Sequence, residues 1–454
     1  MSAKATKSSS SRRVMARLRH ALGTVQPAKL LLLGYCSYIA IGWALLSLPV
    51  AQEQAVAALD ALFIATSAVS TTGLVTVDPG GNFTFFGELV ILLLIQIGGL
   101  GYMTVGSFAL LTIQNRLSRV REKTTRAAFN LPENVRAGLF VRSVIIFTLT
   151  CEAIGALALY ALFSAQGVEN AAWAAIFHAV SAFCTAGFSL FSTSLEAFRG
   201  DTGVVLVISA LSLLGAMGFL IIVDFWRNLF GRKQYLGFTS KIILRMTLMF
   251  LFFGTLLLFI IEPGFRDLPP SERLLTAFFQ TMTATTTVGF NTYPIGALSL
   301  SVIMVIFVLM IIGASPAGTG GGLKTTSFAV LVGLVRSSLK GRDEVRFFKR
   351  RVPADKLQTA TASLTYYMAL LAIAMFLLLM TEPAAAFETV MFEVISALGT
   401  VGLSMGLTGD LSPLGKIIII VLMIAGRVGI LTFGIALAAH DESREEERDN
   451  DVVV

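Results

Sequence analysis

Four times this chain runs a phenylalanine, a Ser/Thr-Ala pair and a Thr-x-Gly at the same offsets. The copies are Phe63, Ser67-Ala68, Thr71-Thr72-Gly73; Phe177, Ser181-Ala182, Thr185-Ala186-Gly187; Phe279, Thr283-Ala284, Thr287-Val288-Gly289; and Phe392, Ser396-Ala397, Thr400-Val401-Gly402. The glycines lie 114, 102 and 113 residues apart. One structural unit of about a hundred residues is therefore used four times, and such a repeat sets the architecture. A lone Thr-x-Gly is a tight turn or a packing spot in any protein. Four in register are not.

The chain has 454 residues, 55% of them hydrophobic and 14% charged. Its apolar residues fall in runs at 28–50, 89–113, 143–163, 203–226, 242–261, 298–313, 364–380 and 414–440. Most reach the roughly 20 residues that a helix needs to cross a hydrocarbon core. Basic residues crowd every second connection: before the first run, after the second (Arg116 to Arg126), after the fourth (Arg227 to Lys241) and after the sixth (Arg336 to Arg351). The intervening connections are sparse and mixed, with Glu53, Asp60, Asp78, Glu169, Glu262, Asp267, Glu382 and Asp410. The positive-inside rule then gives eight transmembrane helices with both termini cytoplasmic. The net charge of +7 is a topology signal, not evidence of nucleic-acid binding. Cys36, Cys151 and Cys184 have no paired spacing, so neither a disulfide framework nor a metal site is expected.

The expected fold is thus an all-α polytopic membrane protein. The chain divides into a basic N-terminus (1–27), repeats at 28–113, 114–226, 227–340 and 341–440, and an acidic tail (441–454). Each repeat reads as an apolar helix, a short segment ending at Thr-x-Gly, and a second apolar helix. The middle segment, for example Leu59 to Ser70, is too short to span. Irregular backbone at that depth must be buried in protein or line a cavity, which predicts a half-helix that dips in and turns at the glycine. Its C-terminal dipole favours a cation. Four equivalent glycine-bearing strands around one axis can form an ion filter from backbone carbonyls, at Thr71, Thr72 and Gly73, Thr185, Ala186 and Gly187, Thr287, Val288 and Gly289, and Thr400, Val401 and Gly402. Glycine keeps the axis free of side chains, and the Ser/Thr-Ala pair lets the half-helices pack closely.

Small residues recur 24 to 28 positions after each of these glycines: Gly98-Gly99, Gly215-Ala216, Gly313-Ala314 and Gly426-Arg427. In the third repeat they open into Ser315-Pro316-Ala317-Gly318-Thr319-Gly320-Gly321-Gly322. That stretch cannot be regular helix, since each glycine costs about 1 kcal/mol relative to alanine, so it should line a cavity. It is not a phosphate loop, because Leu323 precedes Lys324 and no strand leads into it. Arg427 sits inside the last apolar run, about a dozen residues from either end. A charge there costs at least about 2.5–3.5 kcal/mol, so it needs water or partners. Glu152 is read as a structural partner for another repeat, and His178 as a packing or capping residue.

The helix, half-helix, Thr-x-Gly and helix unit repeated four times resembles the Trk/Ktr/HKT superfamily of potassium transporters, and its KtrB-like branch in particular. The resemblance spans about residues 28–440. It implies pseudo-fourfold packing of the repeats around one pore, with K+ bound at Gly73, Gly187, Gly289 and Gly402. It also implies a gate made of Ser315, Gly318, Gly320, Gly321, Gly322 and Arg427. The partners it implies are a second copy of the chain, the lipid bilayer and a cytosolic nucleotide-binding subunit of the KtrA/TrkA type, in a bacterial cytoplasmic membrane. No covalent cofactor is implied. Glycine rather than serine at position 73 goes with preference for potassium, and stimulation by Na+ stays open. The alternatives are a sodium- or proton-coupled symporter using carboxylates such as Glu152, and an intramembrane enzyme. The latter is disfavoured by three histidines and hardly any intramembrane aspartate.

Overall fold

A computed structural model of the protein describes residues 27–101, 137–219, 221, 237–316, 318–342, 344–347 and 350–437. The basic segments before the first helix and at 116–126 and 227–233, and the acidic tail, lie outside the described residues. So do Ala317 and Phe348.

Four long helices open the four units: α1 (Pro27–Leu46), α4 (Ala137–Ala165), α7 (Phe238–Ile261) and α11 (Ala354–Thr381). Each contains a stretch long and apolar enough to cross a membrane. Each is followed by a short half-helix: α2 (Ala58–Ser70), α5 (Ala171–Phe183), α8 (Pro270–Thr286) and α12 (Phe387–Gly399). The second apolar helices are α3 (Phe85–Leu100), α6 (Thr202–Ala216), α9 (Leu300–Ile311) and α13 (Pro413–Val428), with α10 (Thr325–Ser338) and α14 (Ile430–Leu437) continuing the last two units.

These second helices stop short of the apolar runs that contain them. Glycines with positive φ follow closely at Gly101 (79°), Gly218 (88°) and Gly429 (97°), a conformation that ends a helix. In the last unit the chain bends by 107° between α13 and α14. Arg427 therefore lies in the last turn of a broken helix, not in the middle of a continuous one. In the third unit the break widens into the glycine-rich loop. Its two ends are joined by a two-residue parallel pairing of β1 (Ile312–Gly313) with β2 (Leu323–Lys324).

Each unit ties the end of its first helix to the start of its second. Thr84 donates to the carbonyl of Val50 at 2.7 Å, and Gln166 bonds Asp201. Glu262 accepts from the backbone and hydroxyl of Ser299, both at 2.9 Å, and Glu382 does the same for Ser412. Thr84, Asp201 and Ser412 also cap their helices by accepting from Gly87, Val204 and Gly415.

The core interlocks unit with unit. Phe177 packs in the cluster of first-unit residues that includes Ile91 and Ile95. Phe279 packs in the second-unit cluster, and Phe392 in the third-unit one. Phe63 of the first unit closes the circuit by packing among residues of the fourth. All four rings are fully buried. The recurring phenylalanine thus anchors each half-helix in the unit before it.

Candidate functional site: the Thr-x-Gly ring and its loop

Each half-helix ends in the same way. Thr71, Thr185, Thr287 and Thr400 adopt left-handed backbone conformations, with φ of 49°, 50°, 59° and 49°. A β-branched residue seldom does so, and a residue in this conformation closes a helix C-terminus. The next residue turns back onto the helix: Thr72, Ala186, Val288 and Val401 donate from their amides to the carbonyls of Ser67, Ser181, Thr283 and Ser396, at 2.8–3.2 Å. The glycine after it is again left-handed, with φ between 67° and 94° at Gly73, Gly187, Gly289 and Gly402. The alternation of left-handed and ordinary residues is the same in all four copies.

The glycines meet one another around a closed circuit. A Cβ placed on Gly73 would stand 2.4 Å from the Ala186 carbonyl oxygen, one on Gly187 2.3 Å from that of Val288, and one on Gly289 2.3 Å from that of Val401. From Gly402 the same vector returns to the first copy, 2.1 Å from the Thr72 carbonyl oxygen. A side chain at any of the four would collide with the neighbouring copy's backbone. The sequence suggests that glycine spares the axis; the geometry shows that it spares the neighbour.

The Ser/Thr of the Ser/Thr-Ala pair has a more specific task than packing. Ser67, Thr283 and Ser396 accept from the amides of Gly73, Gly289 and Gly402 at 3.0–3.1 Å. Ser181 departs from this and donates to the Phe188 carbonyl at 2.8 Å. Nine positions before the glycine, three copies carry a polar residue that braces the strand leaving the ring. His178 bonds Ser189, Gln280 bonds the Tyr293 carbonyl, and the fully buried Glu393 accepts from Ser404 and Thr408. His178 also stacks on Phe191 at 4.6 Å, so it packs as the sequence suggests.

The glycine-rich loop presses against the threonine side of this ring. Thr319 donates to the Phe183 carbonyl at 3.2 Å and bonds the Thr185 hydroxyl at 3.0 Å, while its own carbonyl accepts from Thr71 at 3.4 Å. A Cβ on Gly320 would stand 2.4 Å from Thr287 Oγ1, and one on Gly321 2.1 Å from Thr400 Oγ1. Three consecutive loop residues thus touch all four ring threonines. The loop is also sewn to α6, where Ser315 and Thr319 donate from their amides to Ala216 and Gly215. A Cβ on Gly318 would stand 2.6 Å from the Ala216 carbonyl oxygen, and Gly322 is left-handed with φ 71°.

Arg427 joins three units. Its guanidinium donates to the Thr319 carbonyl of the loop and to the carbonyls of Gly98 and Gly99 at the end of α3. A planar group with five donors suits such divergent acceptors. The ammonium of Lys324 folds back onto the Gly320 carbonyl at 2.7 Å. Both cations line a cavity of about 360 Å³ that also receives Pro316, Gly318, Gly320 and Gly322.

Every described residue singled out in the sequence for the ring or the loop is therefore brought into one assembly. Two of its principal members are not singled out there. Thr319 is an unremarked threonine within a run of glycines, and Lys324 is the single charge at that run's end. Glu152 is buried between the first two units, where it accepts from Gln96 at 3.1 Å.

The model of the TrkH family, described as a cation transport protein, matches residues 39–447. The Ktr system potassium uptake protein B of Vibrio alginolyticus is 38% identical over 415 residues, covering 90% of this chain and 91% of its own. Its Bacillus subtilis (strain 168) namesake is 36% identical over 431 residues, covering 94% and 96%. The potassium/sodium uptake protein NtpJ of Enterococcus hirae is 34% identical over 419 residues, covering 90% and 92%. Among solved structures, the potassium transporter TrkH of Vibrio parahaemolyticus shares the fold, with a TM-score of 0.71 over 90% of this chain and 83% of its own, at 20% identity. This chain belongs to the TrkH family of cation transport proteins, a family of multi-pass membrane transporters and not of enzymes.

Proposed function

We propose that the chain is the membrane-embedded, potassium-conducting subunit of a Ktr-type uptake system. The observation that carries this reading is the closed circuit of Gly73, Gly187, Gly289 and Gly402, each set against a backbone carbonyl of the next copy. Carbonyls held in such a ring can replace part of the hydration shell of a monovalent cation. The buried hydroxyls of Thr287 and Thr400, which have no hydrogen-bond partner among the described residues, add oxygens on the loop side. The names of the Vibrio and Bacillus relatives support potassium as the ion.

The four units, at 28–113, 114–226, 227–340 and 341–440, surround this ring with pseudo-fourfold symmetry on this reading, and eight crossings leave both termini in the cytoplasm. The glycine-rich loop and Arg427 form the gate. With Thr319 against two of the half-helix ends, Gly320 and Gly321 against the other two, and Arg427 bonded to the Thr319 carbonyl, the route past the ring is obstructed, and the guanidinium repels an approaching cation. Opening requires the loop to leave the threonines and Arg427 to release either Thr319 or Gly98. A cytosolic nucleotide-binding partner supplies that bias to a homodimer of this chain.

A second reading, a sodium-dependent mode, is favoured by the name of the Enterococcus relative. Potassium or rubidium uptake by the purified protein in liposomes, compared with Gly73→Ser, tests both. We expect uptake that favours potassium over sodium, and a weaker preference in the variant. Absence of cation flux, with a regulatory partner supplied, would reduce the ring to a packing feature. Flux that depends on external sodium would favour the second reading.

A further inference from the structure

Outside the ring and its cavity, a groove of about 600 Å³ lies between α9, α10 and α11 against the loop's outer ends. Its walls are hydrocarbon: Ile311, Ile312, Leu323, Phe328 and Val332 among them. Val308, Val332 and Val335 stay exposed. At one end the walls change character to Arg336 and Lys340. Both cations are exposed, neither forms an ion pair among the described residues, and Arg336 lies in the last turn of α10, where the helix dipole favours a cation.

Among the described residues the surrounding charges leave this pair uncompensated. The acid nearest in sequence among the described residues, Glu344, is already committed to Arg346 at 3.0 Å and Arg351 at 3.2 Å. The hydrogen bond from Arg346, and then the charge of Arg351, hold its carboxyl below the ordinary range, so it remains an anion spent on those two partners. The hairpin that carries them, β3 (Arg346–Phe347) and β4 (Arg350–Arg351), folds back onto the same helix, with Phe347 against Gly333. Among the described residues this end of the groove thus presents Arg336 and Lys340 with no acid paired to them. A second copy of the chain docking on this face in an isologous contact would bring the same cations to meet their duplicates.

We propose that this groove holds an acyl chain of an anionic phospholipid, with the lipid phosphate on Arg336 and Lys340. Long basic side chains at the edge of an apolar slot are suited to such headgroups. The consequence lies at the depth of the slot. Ile312 and Leu323 are partners in the parallel pairing that joins the two ends of the glycine-rich loop, and both line the groove. A chain seated there braces the roots of the loop from the lipid side. This second step rests on the gate reading given above; the lipid site itself does not.

The test uses the purified full-length protein in vesicles of phosphatidylcholine alone or with phosphatidylglycerol, and reads co-purifying lipid by native mass spectrometry. We expect preferential retention of phosphatidylglycerol. The double variant R336Q/K340Q should lower that preference about 25-fold, at roughly fivefold per basic side chain. Val332→Trp fills the slot while keeping both cations, and should lower retention of either lipid. Equal retention of the two lipids, or an unchanged preference in the double variant, would overturn the site. Unchanged retention in Val332→Trp together with an altered oligomeric state would assign the groove to a second copy. Rubidium flux in the same vesicles then reads the coupling. Flux indifferent to phosphatidylglycerol, with lipid retained, would overturn the bracing of the loop and leave the site standing.

Discussion

Arg427 and Thr319 stand 108 residues apart in the chain, and the guanidinium of the first donates to the backbone carbonyl of the second. The same guanidinium also holds Gly98, 329 residues away. One side chain therefore links the first, third and fourth units at the side of the ring where the loop lies. Because its acceptors are backbone carbonyls, no loop side chain is needed to receive it.

On the proposed reading, Arg427→Ala should raise rubidium flux into liposomes. Hydrogen bonds from a charged group contribute about 1.5–3 kcal/mol each. Opening breaks one of these links, and its loss would raise the open fraction by at least about tenfold, since 1.4 kcal/mol is a factor of ten. Arg427→Lys should fall between the two, because a single ammonium lacks the planar fork that reaches both acceptors. Flux unchanged in both variants would argue against an obstructing role.

Thr319→Val removes the hydroxyl that bonds Phe183 and Thr185 while keeping the carbonyl that Arg427 uses. Its effect on flux should be smaller than that of Arg427→Ala. Both residues hold the same loop, so the double variant should fall short of the product of the single effects. A cycle of four flux measurements checks this.

Substituting alanine for any ring glycine imposes a positive φ, which costs roughly 1–2 kcal/mol, and an overlap with the next copy's carbonyl. The contact is shortest from Gly402, at 2.1 Å. Gly402→Ala should therefore lower both the thermal midpoint in detergent and the preference for potassium over sodium. The lesion sits at the seam between the fourth and first units.

Ser396→Ala deprives the Gly402 amide of its acceptor, and an unmet buried donor costs about 1–3 kcal/mol. Ser396→Thr should rescue it, because Thr283 performs the same task for Gly289 at 3.1 Å in the third unit. Ser181→Ala should leave its own glycine amide untouched, since Ser181 donates to Phe188 instead. Thermal unfolding of the three variants, read beside ion selectivity, separates these outcomes.

The repeat, the half-helices, the glycines, the loop and Arg427 were legible because each breaks a local rule that sequence displays: period, length, glycine content, or charge among apolar residues. The left-handed threonines were not, since the β-branched side chain argues against that conformation and only the assembled ring enforces it. Thr319 was hidden for another reason. Its own carbonyl receives Thr71 and Arg427, and its amide and hydroxyl meet the carbonyls of Gly215 and Phe183, and such main-chain groups leave no mark in the sequence. The same holds for the breaks after α3 and α13, where glycines within apolar runs read equally well as helix contacts. The ties from Glu262 to Ser299 and from Glu382 to Ser412 were in principle readable, as an acid one residue past each long helix and a serine before the next.

The circuit of glycines against carbonyls also explains a pattern of tolerance. What each glycine touches is the main chain of the residue between threonine and glycine in the next unit, not its side chain. That residue is threonine, alanine, valine and valine in the four copies, and the contact is indifferent to the difference. Drift at that position is silent to its neighbour, whereas a single added methyl group on the glycine is not. The four copies are thereby free to diverge one residue away from the point at which each holds the next one to uniformity.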